Sequence, residues 1–171
     1  MSLILNVIVL IMEVLYYSLF MKFAKSEGKF WKYLLLFSLI SIFFFFVGTN
    51  QIYSYLLLII MILYGIKFIV KIKISLYDAM FLFIMLLFKH IIEIPFSLLL
   101  YIFIKNIYIV TILVGFIKVI ITLNLKEKIN KIYSKISKLW NNNNFYIRYI
   151  FTTFMLLYTI VSCLYCIVKW M

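Results

Sequence analysis

The stretch AMFLFIMLLFKHIIEIPFSLLLYIFI, residues 79–104, decides how this chain is read. As a helix rising 1.5 Å per residue, it is long enough to cross about 30 Å of hydrocarbon. Yet its middle carries Lys89, His90 and Glu93, followed by the only proline of the chain, Pro95. A charged side chain at that depth costs about 2.5–3.5 kcal/mol on insertion scales, and each Leu or Ile returns only about 0.3–0.6 kcal/mol. The segment is therefore expected to cross only with its ions paired. Lys89 and Glu93 are four residues apart and His90 and Glu93 three, so all three fall on one helical arc. Stepping on by four gives Ser97 and Tyr101. The spacing predicts a polar stripe, Lys89–Glu93–Ser97–Tyr101, that faces other helices or a wet cavity rather than lipid. Pro95 has no amide hydrogen for the Ile91 carbonyl, which predicts a kink and a polar pocket beside His90 and Glu93.

Similar apolar runs recur along the chain. They predict six transmembrane helices over residues 3–20, 33–47, 52–70, 79–104, 107–123 and 149–168. The second is short and is expected to borrow flanking residues. The composition agrees: 68% of residues are hydrophobic, 13% are charged, and there are only four Gly. A soluble domain needs more polar surface than that to cover its core. Strands of a membrane barrel would alternate polar and apolar residues, and these do not. The expected fold class is all-α, a polytopic integral membrane bundle forming a single domain over residues 1–171.

Charge then sets an orientation. The first connection, MKFAKSEGKFWKY, holds four Lys and one Glu, whereas the second, GTNQ, holds no charge. The third, KFIVKIKISLYD, holds three Lys and one Asp; the fourth, KN, holds one Lys. The fifth, residues 124–148, holds five Lys, one Arg and one Glu. The positive-inside rule places connections one, three and five in the cytoplasm and both termini outside. No basic stretch precedes the first run, so it is expected to remain as an uncleaved helix. The net charge of +12 thus implies anionic inner-leaflet lipid as a partner and not nucleic acid.

Within the fifth connection, Leu125, Ile129, Ile132, Ile136 and Leu139 recur at intervals of four and three. Lys126, Lys128, Lys131, Lys135 and Lys138 lie off that seam. This predicts a basic amphipathic helix over residues 125–140, lying on the cytoplasmic leaflet or packed on a partner helix. The asparagine run at 141–144 ends it, because Asn side chains compete with the helix backbone.

Two further ions lie inside apolar runs. Glu13 is in the first and Lys118 in the fifth. Lys118 is long enough to snorkel to the interface; Glu13 needs a partner, and a Glu13–Lys118 contact or a larger cluster with the fourth helix would supply one. These polar groups can act as glue between helices, line a ligand pocket, or form a proton or ion path. Catalysis is not expected. Cys163 and Cys166 form a CxxC inside an apolar run, and a single His leaves too few ligands for zinc. No phosphate-binding loop or metal motif is present, and no cofactor is expected.

The segment FIVKIKISLYDAMFLFIMLL, residues 68–87, and the basic NLKEKINKIYSKISK, residues 124–138, resemble corresponding parts of the membrane sensor half of Agr-type quorum-sensing receptor histidine kinases. The resemblance lies in layout and covers almost the whole chain. It carries over no functional residue. The phosphoacceptor helix and ATP-binding domain of that family are not among these residues, so the expectation is a sensor part of a longer protein, a kinase-less relative, or an unrelated protein with the same hydropathy. The resemblance implies a receptor for a small extracellular peptide. With such short outer loops, the ligand would sit among helix ends near Thr49, Asn50, Gln51, Tyr53, Tyr101 and Asn106, and a cytoplasmic kinase or a second copy would be the partner. A small transporter or channel subunit, or a structural membrane protein without a ligand, are the alternatives.

Overall fold

The computed structural model describes residues 2–25, 28–47, 54–72, 76–141, 149 and 153. The described elements are helices: α1 (Ser2–Ala24), α2 (Phe30–Val47), α3 (Ser54–Gly65), α4 (Leu76–Ile104), α5 (Ile107–Asn124) and α6 (Lys126–Asn141). A single π-helical turn, Ile66–Val70, continues α3. Three helical stretches are long and apolar enough to cross a membrane: Ile4–Ala24, Ile84–Ile104 and Ile107–Asn124. The sixth expected span, residues 149–168, lies outside the described residues apart from Tyr149 and Thr153.

Local chemistry explains where the helices stop. After α1 the chain turns through Gly28 at φ +82, a left-handed conformation that a Cβ would strain. The π turn ends on Lys71 at φ 61, and the Ile72 amide reaches back to the Ile66 carbonyl at 3.4 Å. The tight connection between α4 and α5 has Lys105 at φ 51. It then uses Asn106 as an N-cap whose side chain accepts from the Tyr108 amide at 3.1 Å and the Ile109 amide at 3.4 Å. α4 begins with Asp78 in its first turn, where the helix dipole favours a carboxylate. It runs without interruption through Pro95; Pro95 and Ile91 both lie on its exposed side.

Packing is uneven along the bundle. The core gathers around the Ala24 end of α1, the first halves of α2 and α4, the end of α3 and the middle of α6. Tyr16, Met21, Tyr33, Ile66, Phe81, Leu82 and Met85 are fully buried there. Aromatic rings supply much of this contact: Phe20 meets Phe81 at 5.5 Å and Phe88 at 5.7 Å, and Tyr17 stacks on Phe37 at 5.5 Å. The other half is open. Leu98, Ile102, Phe103 and Ile107 are at least 64% exposed, an apolar surface of the kind that acyl chains cover.

α6 is amphipathic as its seam requires, and its partners come from the same chain. Ile129 is buried in the common core, and Leu125, Tyr133 and Ile136 pack against it. α6 thereby lies against α1 and α4. Ile132 and Leu139, from the same seam, are left 47% and 36% exposed.

Two glycines set interhelical distances. A Cβ on Gly65 would fall 2.0 Å from Leu36 Cδ1, and one on Gly115 would fall 2.9 Å from Met12 Cβ. The second contact fixes how closely α5 approaches α1, one turn from Lys118 and one residue from Glu13. Gly115→Val is expected to cost about 1–3 kcal/mol by overpacking. The lowered unfolding midpoint in mixed micelles, set against that of Gly115→Ala, would report the loss.

Candidate functional site

Four charged side chains meet where α1, α4 and α5 cross. Glu13 lies near the middle of the span Ile4–Ala24, and Glu93 near the middle of Ile84–Ile104. Lys118 contacts both carboxylates directly, through Glu13 Oε1 and Glu93 Oε1. Lys89 Nζ lies 3.0 Å from Glu13 Oε2 and 3.8 Å from Glu93 Oε1. Each ammonium therefore sees both carboxylates, and each carboxylate sees both ammoniums. The result is an alternating ring of two positive and two negative groups with no net charge. His90 flanks it, with Nδ1 3.7 Å from Glu93 Oε2.

The ring is shielded to different degrees around its perimeter. The Lys118 side chain is 2% exposed, whereas those of Lys89, Glu13 and Glu93 are 21%, 20% and 26% exposed. Aromatic faces complete the shell. Lys118 Nζ is 5.6 Å from the Tyr16 ring centroid and Lys89 Nζ is 5.6 Å from that of Tyr17. The Tyr16 hydroxyl donates to the Met85 carbonyl at 2.9 Å, which locks α1 to α4 one turn before Lys89. Charge alternation explains why four ions can share an apolar site. Each desolvated charge has opposite charges as its nearest neighbours, so Coulomb attraction offsets the loss of water.

Of the two readings the sequence leaves for Lys118, snorkelling to the interface or pairing with Glu13 and the fourth-helix ions, the structure has the pairing, because two carboxylates lie within its reach. Along the α4 stripe, burial falls away from the ring. Glu93 belongs to the ring, Ser97 is half-buried, and Tyr101 is 51% exposed. Each step of four residues turns about 40° further around a helix of 3.6 residues per turn, so three steps carry Tyr101 off the buried face. Asn106, expected near a ligand, has its side chain engaged as the α5 cap. Thr49, Asn50, Gln51 and Tyr53 lie outside the described residues, as do Cys163 and Cys166. Among the described residues no group of His, Cys, Asp or Glu is placed to hold a metal ion.

A second polar cluster escaped the sequence reading. Lys25 Nζ donates to Asp78 Oδ2 at 2.7 Å, and their side chains are 5% and 0% exposed. Tyr133 of α6 donates its hydroxyl to Asp78 Oδ1 at 2.7 Å. Burial first, and then the Asp78 carboxylate, hold the Tyr133 phenol well above its ordinary range, so it stays protonated as a donor. Lys25 and Asp78 read as loop charges in the sequence. The available signal was scarcity: the chain has only five acidic residues, and an acid in the first turn of an apolar helix needs a cation.

Comparison with protein-family models, with curated proteins and with solved structures finds no match to this chain.

Proposed function

We propose that this chain is a multi-pass sensor domain of a cell membrane, with six spans, in which α1 and α4 transmit an outer binding event to the basic helix α6. One observation carries the reading. α1 and α4 each bear on both polar clusters: Glu13 lies in α1 and Lys25 directly after its last residue, while Lys89, Glu93 and Asp78 lie in α4. A displacement of either helix changes the ring and the Lys25–Asp78–Tyr133 cluster together, and the latter holds α6. Packed elements of this kind respond to small shifts by switching between discrete arrangements.

In this reading the Lys-rich connections and α6 face the cytoplasm against anionic lipid, and both termini face outward. The ligand class is a small, partly hydrophobic extracellular peptide received among outer helix ends. The inner partner is a kinase or a second copy of the chain.

Titrating the purified protein with small peptides fractionated from its own cell's medium tests this. The expected result is a saturable rise in Tm with one fraction, lost in the Lys89→Leu, Glu93→Leu double variant. Absence of any saturable fraction overturns the receptor reading. The full pairing of the ring favours a second reading, a structural membrane protein, which that outcome would support. Ion or solute flux in proteoliposomes that disappears on Glu93→Gln would instead establish a transporter.

A further inference from the structure

At the Ala24 end of the bundle, the last turn of α1 and the first turns of α6 enclose a cleft of about 500 Å³, lined by Lys22, Phe23, Lys126, Glu127, Asn130 and Lys131. That volume lies within the range of small-ligand sites, about 300–1,000 Å³. Three of the six lining residues are Lys and one is Glu, so the lining carries a net positive charge. The Lys22 ammonium donates to the Gly28 carbonyl at 2.7 Å, which holds it near the end of α1. Lys126 Nζ stands 5.8 Å from the centroid of the Phe23 ring, so one wall offers an apolar face below a positive charge.

The depth of the cleft indicates the kind of anion. Lys22 and Phe23 belong to the last turn of the span Ile4–Ala24, and Lys126 stands two residues beyond the span Ile107–Asn124. In a bilayer crossed by these two helices, the cationic groups would stand where the helices leave hydrocarbon, at the level of lipid phosphates. We infer that this cleft binds the phosphate-bearing headgroup of an anionic lipid, with Lys22, Lys126 and Lys131 around the phosphate, Asn130 hydrogen-bonding to it and Phe23 against the glycerol. The inference does not depend on the sensor reading or on which leaflet the cleft faces.

Titration of the full chain in detergent with phosphatidylglycerol, phosphatidylcholine or glycerol 3-phosphate, followed by native mass spectrometry, tests it. Phosphatidylglycerol should bind saturably and in preference to phosphatidylcholine. The variant Lys22→Gln, Lys126→Gln, Lys131→Gln should weaken that binding about tenfold or more. A charge-matched variant, Lys128→Gln, Lys135→Gln, Lys138→Gln, should change it less than about twofold if the site is local rather than diffuse. Lys22 also supports a turn, so Lys126→Gln, Lys131→Gln serves as a second variant with Lys22 intact, expected to lose about fivefold. Equal losses in the cleft and charge-matched variants would overturn the site in favour of diffuse attraction. Equal binding of glycerol 3-phosphate would overturn the lipid assignment in favour of a soluble phosphate ester.

Discussion

Lys118→Met should lower the unfolding free energy by about 3–5 kcal/mol, the usual cost of stranding a buried charge whose partner has been removed. The substitution preserves most of the side-chain volume, so the loss is electrostatic. It leaves Glu13 and Glu93 facing each other with Lys89 as the remaining ring cation, and the site acquires a net negative charge. The second substitution Glu93→Gln restores neutrality by leaving one Glu13–Lys89 pair. The double variant Lys118→Met, Glu93→Gln should therefore recover about 1–3 kcal/mol relative to the sum of the single variants. Unfolding midpoints in mixed micelles of increasing dodecyl sulfate content would measure all four corners of that cycle. Additive losses would mean that the four groups do not act as a ring.

The second large effect is expected at the other cluster. Asp78→Leu removes the carboxylate that receives both Lys25 and Tyr133, and should cost about 3 kcal/mol or more. Its signature is local as well as global. α6 is tied to the bundle by the Tyr133 hydroxyl and by Ile129 in the core, so its amides should exchange with solvent much faster than those of α5. Tyr133→Phe keeps the ring contacts with Tyr77 at 5.6 Å and Phe81 at 5.0 Å and removes only the hydroxyl. Its cost should be smaller, about 1.5 kcal/mol, the value of a hydrogen bond to a charged acceptor. If Asp78→Leu left exchange in α6 unchanged, apolar packing alone would account for its docking.

Much of this arrangement was legible in the residues. Apolar runs at 79–104 and 107–123 lie almost where α4 and α5 do, because long hydrophobic stretches admit only the helix as a hydrogen-bonded form in lipid. α1 extends past its expected end at residue 20 to Ala24: Met21, Phe23 and Ala24 are apolar, and Lys22 sits favourably in a last turn. The pairing demand on Glu13, Lys89, Glu93 and Lys118 follows from the cost of bare charge in an apolar run. What could not be read was the geometry that satisfies it. That the four form one ring depends on the close approach of α5 to α1 at Gly115, a property of helix packing that no local pattern encodes. For the same reason Lys25, Asp78 and Tyr133 escaped notice. They are 53 and 55 residues apart across the Lys25–Asp78 and Asp78–Tyr133 links, and only the fold makes them neighbours.

The neutrality of the ring has an electrical consequence. A unit charge moved across the full membrane potential changes free energy by about 2.3 kcal/mol per 100 mV. A body with two positive and two negative groups that travels as a unit carries no gating charge, so voltage exerts no net force on it. In a bilayer, displacement of the ring as a unit would add nothing to voltage dependence, so any response of these helices to an imposed potential would have to come from charges outside the ring.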